Sequence, residues 1–429
     1  MLSLNRCLLL ACLLNLLWLV AQGTADPFQV GAAKAQITPN PLLPVSGGMG
    51  PPAPARQKRG ELMARAMVVR KGTTKVAIVS VDLLGFPSVL CDRVRAKVAQ
   101  IPPEQILIGA THTHSAPDAY AFPDGQGGHT ADLKYLDFVC EQTAAAIRQA
   151  FESLQPAALR IGTAKTTRRI AYNYYAPDLY DREMSVIQAV DSAGRGIATL
   201  VNFAVHPEVL GNRLGIVSPD LVGPMCDRLE QDYGGTALFM NGAIGGMVTA
   251  DNRDLERIKD ARRGYWHDLR TWDECLRIGN AMAAEAREIL EQTKLQQDPP
   301  LACKTVKVKL PVESDVIWAV VENSPLNYPR NSDRTVTTQI NLVTLGDAQL
   351  LTIPGEAMPN IGLYLKRKMK AKHRLLLGLT NDAFGYILTE VDFNSFDRYD
   401  YVSATSLGEM TGEILIEKWR ELLEQANAP

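Results

Sequence analysis

Net charge is almost absent from this chain: 45 Lys and Arg against 47 Asp and Glu leave −2. That balance excludes the basic footprint expected where nucleic acid is the main partner. Cysteine is sparse as well. Of seven, only Cys91, Cys140, Cys226, Cys275 and Cys303 lie beyond residue 25, with no CxxC spacing. An odd number cannot all pair within one chain, and they read as buried thiols acting as small apolar residues. No run after residue 25 reaches the ~18 apolar residues needed to span a bilayer. Internal repeats and low-complexity tracts are missing too, since the 32 Gly and 25 Pro are spread along the chain. What remains is ordinary globular material, 46% hydrophobic and 21% charged, enough for a sizeable core.

Residues 1–25 combine Arg6, the apolar run Cys7 to Ala21 and the small residues Gly23-Thr24-Ala25. This is the pattern of a secretory signal, so the chain is expected to be exported, secreted or periplasmic. Leu10-Ala11-Cys12 matches a lipoprotein box only weakly, because the apolar run continues well past Cys12. Residues 26–429 then read as a single extended domain. Strands are expected at Lys75 to Phe86, Gln105 to Ala110, Ile197 to Val205, Thr236 to Met240, Gln339 to Leu345, Gln349 to Ile353 and Arg374 to Leu379. Helices are expected at Pro87 to Gln100, Pro219 to Asp232, Ala357 to Lys370 and Gly408 to Gln425. This alternation predicts an α/β fold with a mostly buried mixed or parallel sheet.

The chemistry gathers just past the carboxyl ends of those strands. His112 and His114 follow QILIGA, and an extended backbone there would turn both imidazoles to one face. His206 ends IATLVNFAV, Glu356 follows QLLTIP, and Tyr386 lies a short loop beyond RLLLGL. In open α/β sheets this edge binds ligands. Imidazole nitrogens with a carboxylate and an open position are the donors of a catalytic zinc, which acidifies water and polarises a carbonyl. An HxH pair alone also opens metallo-β-lactamase and amidohydrolase sites. Ala116 stands where the first expects Asp, and only His206 answers the further histidines of the second. Asp118 could orient a ligand histidine or cap the loop after it. The basic run from Lys366 to Arg374 reads as a solvated helix end, with contact to an anionic membrane surface as the alternative. Ser218 reads as a helix cap.

Val30-Gly31-Ala32, Ile37-Thr38-Pro39, GATHTHSAP, NFAVHP, VSPDLVG, IPGEAM and GYILTEVDF occur in the order seen in the neutral/alkaline (non-lysosomal) ceramidases. The chain resembles that family from about Val30 to about Glu421, which implies the family's α/β fold of mixed β-sheets flanked by helices. The resemblance implies one zinc held by His112, His206, Glu356 and Tyr386, with His114 beside it as acid/base or oxyanion-stabilising group. Arg398-Tyr399 resembles the family's Arg-Tyr pair, making Tyr399 an oxyanion donor. It also implies a zinc-dependent amidohydrolase acting on a lipid or smaller N-acyl substrate, by default an N-acylsphingosine. Two departures touch the substrate. Val248 falls where the family has an active-site serine, and Tyr174 where it has a head-group arginine. The family's immunoglobulin-like C-terminal domain has no counterpart in the sequence. A metal-dependent esterase or lactonase on the same scaffold, and a non-catalytic lipid- or glycan-binding relative, are the competing readings.

Overall fold

The computed structural model describes residues 26–260 and 265–427; the export signal read over residues 1–25 lies outside them. Strands β1 (Gln29–Gln36), β2 (Met63–Lys71), β3 (Thr74–Val81) and β4 (Ile106–Ala110) form one sheet, ordered β4-β3-β2-β1 with Gln155–Pro156 at its edge. A second sheet is ordered β8-β7-β6-β5, from β5 (Ala158–Lys165), β6 (Glu183–Val190), β7 (Gly196–Phe203) and β8 (Thr236–Asn241), edged by Leu295–Gln296. The third runs β9 (Leu301–Pro311), β10 (Thr335–Leu345), β11 (Ala348–Thr352) and β12 (His373–Leu377). All three are mixed. Each contains one parallel pair, β3 with β4, β7 with β8 and β11 with β12, while its other pairs are antiparallel.

Side chains alternate across a strand, and the first sheet uses both faces. Ala64, Ala66, Val68, Ala77, Val79 and Val81 join the core under α1 (Ser88–Arg95), α2 (Leu133–Glu152), α3 (Val222–Tyr233) and α4 (Trp272–Glu291). Met67, Val69, Val76 and Ile78 turn the other way and pack with Leu159, Ile187, Leu200 and Leu238 of the second sheet and Val343, Leu350 and Leu375 of the third. A further cluster packs the third sheet against α5 (Asp315–Asn323), α6 (Pro359–Lys368) and α7 (Thr411–Asn427), centred on the fully buried Trp419. Mixed sheets flanked by helices are therefore the fold, as expected. No helix among the described residues is long and apolar enough to cross a membrane.

The three parallel pairs end at one place, and polar side chains tie those ends together. The Asn202 amide donates to the carbonyls of Met240 (2.9 Å), Asn241 (3.0 Å) and Leu376 (2.7 Å), linking the second and third sheets. The Asn241 amide donates to the Thr111 carbonyl at 2.6 Å, just beyond β4 of the first. Both asparagines are buried, so these bonds form where water does not compete and fix the carboxyl edges relative to one another.

Two local expectations change. Ser218 caps no helix: its hydroxyl accepts from the Asp220 N–H (3.0 Å), and the helix opens at Val222. Asp220, at φ 53°, instead accepts from the N–H groups of Leu210 (2.9 Å) and Leu221 (2.8 Å). Lys366 is not a solvated cation but is buried, 2.5 Å from Asp181 and 3.4 Å from Glu183. The thiols are as expected, all five free and four of them buried.

Candidate metal centre

His112, His206 and Glu356 converge at the joined strand ends. The Glu356 Oε2 lies 3.1 Å from His206 Nε2 and 3.6 Å from His112 Nε2. Each imidazole is held from behind, His112 Nδ1 by the Leu84 carbonyl (2.5 Å) and His206 Nδ1 by the Val248 carbonyl (2.8 Å). Donation from Nδ1 leaves both Nε2 atoms facing the carboxylate, where each can carry a proton or bind a metal. The backbone is shaped for this. His112 adopts φ 69°, a left-handed value uncommon outside glycine, so the His112–His114 segment is not the extended stretch the sequence implied. The two rings nevertheless meet, edge to face at 4.8 Å, with His206 4.8 Å from His112 and 5.7 Å from His114. Gly245 abuts Glu356: a Cβ there would lie 2.4 Å from the Glu356 carbonyl oxygen.

Burial disfavours charge on Glu356, yet the adjoining His112 and His206 hold its carboxyl well below the usual range. His206 is likewise subject to desolvation, which Glu356 and Glu208 outweigh, so its pKa is raised. His114 goes the other way, pushed well down by burial and then by His112 and His206. Its buried Nε2 has no hydrogen-bond partner, and its Nδ1 lies 3.9 Å from Glu208. Tyr386 sits on a two-stranded parallel pairing of Gly355–Ala357 with Phe384–Ile387 that sets it beside Glu356. Its hydroxyl donates to Met247 Sδ at 3.2 Å. Burial and then the Glu356 charge raise the Tyr386 pKa well above that of a free phenol.

His112, His114, Glu356 and Tyr386 open into a cavity of about 120 Å³, with apolar walls that include Leu84, Phe122, Ile317 and Val320. Tyr399 is not among the residues lining it. The Tyr399 ring packs 5.8 Å from Tyr175 and 5.4 Å from Phe396, and Tyr401 lines the cavity, its ring 5.9 Å from Tyr386. Val248 contributes its main chain only: the side chain is buried in the core, and the carbonyl accepts from both the backbone N–H (2.9 Å) and the ring of His206. Any residue type able to hold this strand could fill that role. Tyr174 stacks on Tyr265 at 4.6 Å. Asp118 caps its own loop, accepting from Tyr120 N–H, Phe122 N–H and the Thr130 hydroxyl, rather than orienting a histidine. Tyr120, Asp382 and Tyr401 also line the cavity and were not picked out from the sequence.

The donor set fits a zinc ion. Imidazole nitrogens, a carboxylate and a phenol match its borderline preference, and three histidine ligand atoms lie within 4.8 Å of one another. Fold and site thus define an α/β protein with a buried histidine–carboxylate centre beside an apolar cavity. Its fold is that of the neutral ceramidases. The chain is similar to the crystal structure of neutral ceramidase from Pseudomonas aeruginosa, with TM-score 0.73 over 93% of this chain and 75% of that one at 18% identity. A ceramidase complexed with C2 gives TM-score 0.75 over 94% and 76%, again at 18% identity. Neither a protein-family model nor a curated protein matches the sequence.

Proposed function

We propose that the protein is an exported zinc-dependent hydrolase of amide bonds, acting on N-acyl lipids of the ceramide type, with residues 26–429 as its catalytic unit. The observation that carries this reading is the convergence of His112 and His206 Nε2 on Glu356, beside an apolar cavity that His112 and Glu356 line. His112, His206, Glu356 and Tyr386 would hold the metal. Zinc bound there supplies Lewis acidity, lowering the pKa of a water and polarising a carbonyl oxygen.

The chain's own groups do the rest. The Leu84 and Val248 carbonyls keep both ligand imidazoles in one tautomer. His114, kept neutral by burial and its histidine neighbours, offers Nε2 to take the proton from water and deliver it to the departing amine nitrogen. Tyr401, which lines the cavity where Tyr399 does not, would donate its hydroxyl to the developing oxyanion. Apolar walls exclude water and accept an aliphatic arm of the substrate.

Elemental analysis of purified protein, with turnover on matched N-acyl amides and esters, tests the reading. About one zinc per chain, with amide cleavage, is the expected result. Cleavage of esters alone would favour the esterase alternative, for which the absence of an arginine at Tyr174 is the supporting observation. Protein without metal or turnover would favour a binding protein.

His114→Ala separates the two available donor sets. Metal content is expected to stay at the wild-type level while kcat falls roughly 10²–10⁴-fold. Loss of the metal in this variant would assign the ligands to the three histidines instead.

A further inference from the structure

We propose that Glu208 is the positioning residue of His114: its carboxylate accepts from Nδ1–H and holds the ring in the tautomer whose Nε2 keeps a lone pair. The inference rests on the hydrolase reading for the use made of that lone pair. Three imidazoles meet at the centre, and two are fixed from behind by main-chain carbonyls, Leu84 on His112 and Val248 on His206. The ring of the third makes no hydrogen bond among the described residues. Instead, His114 Nδ1 faces Glu208 Oε2 at 3.9 Å, while its Nε2 has no partner.

The main chain brings this pair together. The His114 N–H donates to the Pro207 carbonyl at 3.1 Å, and the Glu208 N–H to that of His206 at 3.0 Å. The Ser115 hydroxyl ties the same segment again, donating to the Gly211 carbonyl at 3.1 Å. What remains free is the glutamate side chain. Arg270 donates to the Glu208 carbonyl oxygen (3.2 Å) and to the Asp268 carboxylate (2.9 Å), not to the Glu208 carboxylate. Among the described residues, that carboxylate accepts no hydrogen bond, and only His114 Nδ1 lies within ion-pair distance of it.

A glutamate on open surface needs no partner, because water solvates it. Here the side chain is 16% exposed and that of His114 17%, so the carboxylate is partly cut off from water and a protein donor stabilises it. The 3.9 Å gap is too long for a hydrogen bond. Rotation about the unrestrained glutamate torsions closes it, and contacts of this kind tighten when an active site fills. A carboxylate behind an imidazole fixes the tautomer and direction of a ring that hands a proton on. The same arrangement also occurs behind metal-bound histidines, and zinc content separates the two roles.

The test reads the tautomer directly. The chain has six histidines, so ring nitrogen-15 NMR of histidine-labelled protein is tractable, and His114→Ala identifies the signal that matters. In the wild-type holoenzyme, His114 is expected to carry its proton on Nδ1 alone. Glu208→Met, which keeps the stem and removes the acceptor, should give a mixture of both tautomers. Its zinc content should match wild type and its KM stay within about twofold, while kcat falls roughly ten- to a hundred-fold. In the His114→Ala background the same substitution should cost less than about twofold, because the group it orients is gone. A proton on Nε2 of His114 in wild type would overturn the proposal without any variant. Equal losses of kcat with and without His114 would overturn it as well. So would loss of zinc in Glu208→Met, which would place the glutamate behind a metal ligand. NMR needs no turnover, so the two readings fail separately. An Nδ1 proton that depends on Glu208, without amide cleavage, sinks the hydrolase reading alone. Amide cleavage with full kcat and an unchanged tautomer in Glu208→Met sinks the Glu208 assignment alone.

Discussion

Replacing His206 with alanine is expected to reduce bound zinc from about one per chain to background and to lower kcat/KM by more than about a thousand-fold. The imidazole is buried, with Nδ1 fixed by the Val248 carbonyl and Nε2 at 3.1 Å from Glu356. Without it Glu356 keeps only His112, at 3.6 Å. Of the four proposed donors, His112, Glu356 and Tyr386 remain, with the carboxylate flanked by an imidazole on one side only. The fold should survive, because the backbone N–H of His206 still donates to the Val248 carbonyl at 2.9 Å and the parallel bridge to Thr249 is untouched. Circular dichroism should therefore match wild type while metal analysis and turnover do not. Wild-type zinc and full turnover in His206→Ala would show that the centre lies elsewhere.

How much of this was legible in the sequence depends on whether the signal was local. Strands with continuous apolar, β-branched character, such as those containing KVAIVSV and TALFM, announce themselves, and each ends at the site. β9 gives a weak signal, because Lys304, Lys307 and Lys309 interrupt its apolar positions, the buried Val308 and Leu310 among them. β5 and β6 give weaker signals, because a short buried run cannot be told from a helix by periodicity alone. At the site, His112, His206, Glu356 and Tyr386 were found by their place after strands. Asp382 stands at that same edge, past RLLLGL, and lines the same cavity. Tyr401 was missed because its approach to Tyr386 depends on how the segment from Phe396 folds, a tertiary matter. The left-handed turn at His112 and the main-chain role of Val248 follow from packing, so no residue pattern reports them.

Stability should hinge on a buried ion pair in the first sheet. Arg65 and Asp82 are both buried, with Nη1 2.7 Å from Oδ2. Asp82 Oδ2 also accepts from the Met63 N–H at 2.9 Å, while Asp82 Oδ1 and Arg65 Nε find no partner. Burial opposes the Arg65 charge, but Asp82 outweighs it and raises the Arg65 pKa. The pair lies across β2 and the end of β3, where the strand leads on to Leu83 and Leu84 behind His112. Arg65→Met leaves the Asp82 carboxylate in the core without its counter-charge and is expected to destabilise the protein by about 3–5 kcal/mol. Because removing both charges also removes the desolvation penalty, Arg65→Met with Asp82→Leu should recover most of that loss. Urea unfolding midpoints of the single and double variants measure it. If the double variant is no more stable than Arg65→Met, packing around the arginine stem rather than charge pairing holds this edge of the sheet.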